Sequence, residues 1–180
     1  MRILVLLCCF VFLTAFTCDN EPIDDDFDLT QDNTTTLIGT WKLTSWISSS
    51  PVDINNDGVT STDLLTEFDC YNNETIVFNA DGTGISQSTS YADITLELVV
   101  GTTDSYEYSV DCIQEIDNFL FNWEQSINNV TVTDEFNDTY NFTLNQQNQL
   151  SILIPEGFFA ANEDFSVTTT QDLTFIYTKQ

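Results

Sequence analysis

Histidine is absent from this 180-residue chain, and Lys and Arg together number three against 29 Asp and Glu. Without imidazole there is no Ser-His-Asp or Cys-His arrangement, and no His to complete a zinc set. Without positive charge there is no footprint for nucleic acid. A formal charge of −26 repels phosphates and anionic headgroups, and makes cations the natural partners. Helical patterning is missing too: no segment carries an apolar stripe of useful length. Acids abound, yet nothing singles out two of them as a glycosidase-type pair, so the chain reads as a non-enzyme.

What is present begins with the leader. Arg2 precedes an unbroken apolar run that ends at Thr17. The run is too short to span a bilayer core of ~30 Å comfortably, so it reads as a signal peptide. Cys18 at its end resembles the cleavage point of a bacterial lipoprotein, where the thiol is acylated and becomes the mature N-terminus. Ala15 and Thr17 stand where such signals usually carry Leu and a smaller residue. Ordinary secretion with cleavage near Ala15 is the alternative. The acidic run from Asp19 to Asp28 reads as a solvated tether. It also resembles the surface-export signals of Bacteroidota lipoproteins, whereas Asp19 alone resembles an inner-membrane retention signal. The whole run favours the outer membrane or cell surface, with the N-terminal lipid as the membrane contact. The expected organisation is a signal peptide at 1–17, lipidated Cys and tether at 18–36, and one domain at 37–180.

Cys8 and Cys9 leave with the leader, and Cys18 takes the lipid. Cys70 and Cys112 then remain as a pair in an oxidising compartment, where a disulfide is expected. A Cys-Cys metal site is the weaker reading.

From Leu37 onward the pattern is β. Trp41 and Leu43 share a face. Thr75-Ile76-Val77-Phe78 runs into Asn79-Ala80-Asp81-Gly82-Thr83-Gly84, a hairpin turn. Alternation returns at Ile94/Leu96/Leu98, Tyr106/Tyr108/Val110, Phe119–Trp123, Val130/Val132, Tyr140/Phe142/Leu144, 150–154 and 173–177. Eight to ten short strands predict an all-β fold, an antiparallel up-and-down barrel.

Gly39-Thr40-Trp41 at the opening of this meander resembles the lipocalin signature. The Phe78–Thr83 hairpin resembles the second and third strands of lipocalin-like lipoproteins of the Bacteroidota type. The resemblance spans roughly 37–180. It implies that Trp41 closes the barrel's bottom and that the glycine permits close packing. Classical lipocalins also place a basic residue near that tryptophan; Lys42 is adjacent in sequence and Lys179 is at the C-terminus, and neither clearly fills the place.

Two candidate sites follow. Asp53-Ile54-Asn55-Asn56-Asp57-Gly58-Val59 places oxygens at positions 1, 3 and 5 before a glycine, as Ca²⁺ loops do, with the Val59 carbonyl as a further ligand. The start resembles EF-hand and dockerin loops. The end departs from them, with Leu64 at position 12 and Asp63 at position 11. Ca²⁺ held by Asp53, Asn55, Asp57, Val59 and Asp63 stands beside the plainer reading of side chains capping their own turns. The second site is aromatic. Trp41, Phe78, Tyr108, Phe121, Trp123 and Phe142, with Trp46 and Phe175, line either a ligand cavity or a filled core. The leading expectation is a lipid-anchored, lipocalin-like binding module for a small apolar or glycan-like ligand. The alternative is a structural or protein-interaction lipoprotein with a filled barrel. A cavity of several hundred Å³ separates the two.

Overall fold

The computed structural model describes residues 37–71 and 73–180. The leader, Cys18 and the tether lie outside the described residues. Nine strands follow in order: β1 (Gly39–Val52), β2 (Ser61–Asp63), β3 (Thr75–Phe78), β4 (Thr83–Leu98), β5 (Tyr106–Ser126), β6 (Asn129–Asp134), β7 (Thr139–Leu144), β8 (Gln149–Ala161) and β9 (Thr168–Lys179). From β3 to β9 each strand pairs antiparallel with the next, and β3 pairs with β1. β9 returns to β1 with Trp41 opposite Lys179 and Ser48 opposite Leu173, which closes an eight-strand barrel. β2 is an extra strand on the far part of β1. The up-and-down barrel expected from the alternation is the fold that forms.

Period-two patterning explains the inner wall. Ile76 and Phe78 of β3, Val130 and Val132 of β6, and Phe142 and Leu144 of β7 are all buried in one cluster. The turn before β4 is held by its own polar groups. The Asn79 N–H donates to the Thr83 carbonyl at 2.8 Å, and Asp81 accepts from the Thr83 N–H at 3.0 Å and from its hydroxyl at 2.6 Å.

A second cluster lies beyond the first, around Trp46, Ile54, Leu64, Ile94, Phe158 and Leu173. The strand pairings that run between the two clusters slip register on the way. The slips fall between Leu43 and Ser45, between Ser88 and Ser90, and between Ile154 and Phe158. A bulge bends a strand and turns its side chains, so one sheet can wall two cores. Cys70 and Cys112 are joined by a disulfide with Cα atoms 5.1 Å apart, which ties the segment before β3 to β5 beside the second core.

Two departures from the sequence reading have a common cause. Tyr106–Val110 and Phe119–Trp123 belong to one strand of 21 residues, β5. The stretch between them, through Asp111, Glu115 and Asp117, is mostly exposed and polar, so no apolar alternation marks it. β2 likewise sits in the segment read as a metal loop.

The closed end of the barrel is built around Trp41. Its ring is fully buried and its indole N–H donates to the Leu37 carbonyl at 2.7 Å. Lys179 Nζ lies 5.8 Å from the ring centroid. Lys179, which the sequence did not clearly assign to the basic place, therefore stands there. Cross-strand register puts Lys179 opposite Trp41, a proximity that a sequence separation of 138 conceals. Gly39 has φ +129°, and a Cβ there would sit 3.2 Å from Lys179 Cε, so the glycine makes room for the lysine stem.

Candidate functional site: an aromatic-rimmed cavity

β6 and β7 have six residues each, against 16 in β4 and 21 in β5. β5 pairs with β6 only from Phe121 onward. The barrel wall is therefore low at the β6–β7 turn. By antiparallel alternation this turn is at the end away from Gly39, Trp41 and Lys179.

A cavity of about 420 Å³ opens there. Its inner surface is apolar, formed by Ile76, Phe121, Val132 and Phe142, all buried. Ser86 and Tyr177 add two hydroxyls. The rim is aromatic and acidic. Phe119, Phe136 and Tyr140 are 51%, 72% and 41% exposed, and Asp134 and Asp138 stand among them.

Local chemistry positions each part. Gly84 faces Phe121 across β4 and β5, and a Cβ there would come within 2.2 Å of the Phe121 ring. The ring thus covers the bare backbone of Gly84, with the Phe78 ring edge-on to it at 5.4 Å. Asp134 Oδ1 accepts from the N–H groups of Phe136 and Asp138, both at 2.9 Å, which shapes the turn that holds Phe136 over the mouth. Tyr177 stands at an angle to Phe142, ring centroids 6.4 Å apart. Burial first, and the negative charge of Glu74 second, push its phenol well above the ordinary tyrosine range, so it enters the site as a neutral hydroxyl. Glu74 is itself buried and accepts from the Thr89 N–H at 3.2 Å and the Thr89 hydroxyl at 2.9 Å.

Residues 17–143 match the family described as a domain of unknown function, DUF5004. The chain belongs to DUF5004. No curated protein matches the chain, and no solved structure does. The DUF5004 match, the closed eight-strand barrel and Gly-x-Trp on its first strand together fit a lipocalin-like fold.

Of the aromatic residues read as site candidates, the DUF5004 barrel brings Phe121 and Phe142 to the cavity. Trp41 and Phe78 are core of the barrel. Trp123 packs edge-on against Phe78 at 5.7 Å and donates its indole N–H to the Thr83 carbonyl at 3.0 Å. Trp46 belongs to the second core, and Tyr108 packs against it beside Phe158. Phe175 packs against both clusters. The lining residues missed are Ile76, Ser86 and Val132 of the interior, and Phe119, Asp134, Phe136, Asp138, Tyr140 and Tyr177. Phe119 and Tyr140 carried a signal, because each lies two residues from a cavity phenylalanine and so shares its face. The turn residues carried none.

The 53–63 segment divides. Asp53 accepts from the Asp57 N–H at 3.0 Å and from the Gly58 N–H at 2.9 Å. Asn55 Oδ1 accepts from the Asp57 N–H at 3.0 Å, and Asp57 from the Val59 N–H at 2.8 Å. These side chains cap their own turns. Asp63 does not join them. Its Oδ1 accepts from the Trp46 N–H at 3.0 Å and the Leu65 N–H at 3.3 Å, capping the 3₁₀ turn Leu64–Thr66. Asp53, Asn55, Asp57 and the Val59 carbonyl leave four ligand groups for a Ca²⁺ ion that takes six to eight oxygens. Among the described residues, no three His, Cys, Asp or Glu side chains group to hold a metal ion.

Proposed function

We propose that this DUF5004 chain is a lipid-anchored cell-envelope module that holds a small, largely apolar ligand in its barrel. The observation that carries the reading is the cavity of about 420 Å³ with an apolar interior inside a closed barrel. Ligand pockets run from roughly 300 to 1,000 Å³ and combine apolar walls with a few placed polar groups, here the hydroxyls of Ser86 and Tyr177. The three exposed rim rings suit the flat face of a ligand, a sugar ring included. Binding is the whole activity in this reading. The complete lack of histidine supports that. Anchoring rests on the leader and Cys18, and on the acidic tether that would hold the barrel off the membrane surface.

Nile red, a neutral apolar dye, tests the cavity. Saturable one-to-one fluorescence enhancement is expected, and Val132→Trp, which fills the interior, should abolish it in a barrel that still melts cooperatively. Dye binding that is unsaturable, or unchanged in Val132→Trp, would favour the filled-barrel alternative. Anchoring is tested separately, by moving Cys18→Ser out of the membrane fraction, since acyl burial supplies ~0.8 kcal/mol per CH₂.

A further inference from the structure

The rim of the cavity is more specific than its interior. Two carboxylates, Asp134 and Asp138, stand among three exposed rings, Phe119, Phe136 and Tyr140. Among the described residues, no Lys or Arg lines the cavity. One of the two described lysines, Lys179, is at the opposite end over Trp41. The other, Lys42, is on β1 opposite Thr75 and Thr178, outside the lining. Only one oxygen of Asp134 is used by the turn, so its second oxygen and the Asp138 carboxylate remain to face an occupant. Aromatic faces carry negative quadrupole potential and attract cations that sit over them. Rings and carboxylates of one sign around an apolar pocket repel an anionic head and favour a cationic one.

We infer, on the strength of the binding reading above, that the ligand is a cationic amphiphile: an apolar body in the cavity and an ammonium head among Phe119, Phe136, Tyr140, Asp134 and Asp138. The rings suit a quaternary or otherwise alkylated ammonium, which is weakly hydrated and presents methyl groups to aromatic faces. The carboxylates add long-range attraction that raises the encounter rate.

The experiment compares two probes of one shape by Nile red displacement: 3-phenylpropyl-trimethylammonium and its uncharged tert-butyl isostere, 4,4-dimethylpentylbenzene. The cation should displace the dye about tenfold more tightly at low salt, an advantage of the size aromatic–cation contacts provide. The advantage should shrink at 1 M salt, where the Debye length falls to ~3 Å. Asp138→Asn and Phe136→Ala should each reduce it, and Asp117→Asn, an exposed acid of β5 outside the cavity, should not. Tetramethylammonium, a head without a body, should displace nothing. Equal displacement by the two isosteres would overturn the cationic preference and leave the binding reading standing. An advantage that Asp117→Asn erodes as much as Asp138→Asn would reduce it to diffuse attraction by the acidic surface, and overturn it as well. Failure of Nile red itself to bind would remove both readings together.

Discussion

Lys179 stands over Trp41, Nζ 5.8 Å from the ring centroid, where the last strand closes on the first. The pair fastens the barrel seam and blocks its closed end. A cation over a tryptophan face at a partly exposed site contributes ~0.5–1 kcal/mol. Lys179→Met should therefore lower stability by about that much in urea denaturation, whereas Trp41→Ala should cost ~3–5 kcal/mol through the cavity it leaves. Equal stability of Lys179→Met and the parent would mean that the lysine stem alone supplies the seam.

Gly84 gives the sharpest packing prediction. A Cβ at this position would meet the Phe121 ring at 2.2 Å and the Val77 carbonyl at 2.6 Å. Gly84→Ala should force the ring from its seat and destabilise by ~1–3 kcal/mol, as overpacking does. Since Phe121 lines the cavity, dye affinity should fall in the same variant. A neutral Gly84→Ala in both assays would contradict the packing described here.

The disulfide closes a loop with a sequence separation of 42. Loop-closure entropy for that length is worth ~4 kcal/mol. Reduction, or Cys112→Ser, should lower stability by up to that amount. Amide exchange should rise first around Trp46, Leu64 and Ile94, which the bridge holds to β5, and later around Trp41. Non-reducing peptide mapping checks the bond itself, and two thiols alkylated without reductant would exclude it.

Two groups give opposite limbs of the stability profile. Hydrogen bonds from the Thr83 hydroxyl and N–H hold the Asp81 carboxyl below its usual range. The unfolded chain therefore takes up this proton first. Its contribution is complete above pH ~4 and is lost as pH falls through the depressed folded value. Asp81→Asn should flatten the acid limb. Tyr177 is shifted the other way, upward by burial. Above pH ~10 the unfolded phenol ionises while the folded one keeps its proton, so stability falls as pH rises. Tyr177→Phe should flatten that alkaline limb. Denaturant midpoints across the two windows measure both.

The 53–59 loop is held by its own N–H donors, so chelation with EDTA should leave the melting temperature unchanged. With Asp63 committed to Trp46 and Leu65, Ca²⁺ ligation through Asp53, Asn55 and Asp57 is expected only in the range of ~10⁻⁴–10⁻³ M seen for weak extracellular modules. A rise in melting temperature at millimolar Ca²⁺, absent with Mg²⁺ and lost in Asp57→Ala, is the signature to look for. Equal shifts with the two ions would leave the loop as a turn. Stabilisation at micromolar Ca²⁺ would mean that Asp63 exchanges its backbone partners for the ion.

The barrel was legible where burial alternates without interruption, as at Ile76/Phe78, Val130/Val132 and Phe142/Leu144. It was illegible along β5, where Asp111–Asn118 is a strand that contributes little to either core. Two of the eight aromatic candidates, Phe121 and Phe142, reach the cavity. Strict alternation from Trp41 and Leu43 would point Trp46 outward. The slip between Leu43 and Ser45 instead keeps it on the inner face, opposite Phe175, where it belongs to the second core. Phe136 and Asp138 sit in a turn, where position is set by Asp134's hydrogen bonds and no periodicity announces it. Lys179 was hidden by distance along the chain and revealed by register.

The short β6–β7 hairpin, with six residues in each strand, also bears on timing. A pocket sealed by a full-height wall exchanges its occupant only when a loop lifts, and entry then waits for a motion of microseconds to milliseconds. Here the entrance is a gap beside Phe119 and Phe136, and none of the described residues closes it. Association should then be set by encounter, and the dwell time by how firmly the interior and rim hold what has arrived. On the binding reading proposed above, such a barrel would take up and release its ligand quickly, and would suit capture and hand-over better than long storage.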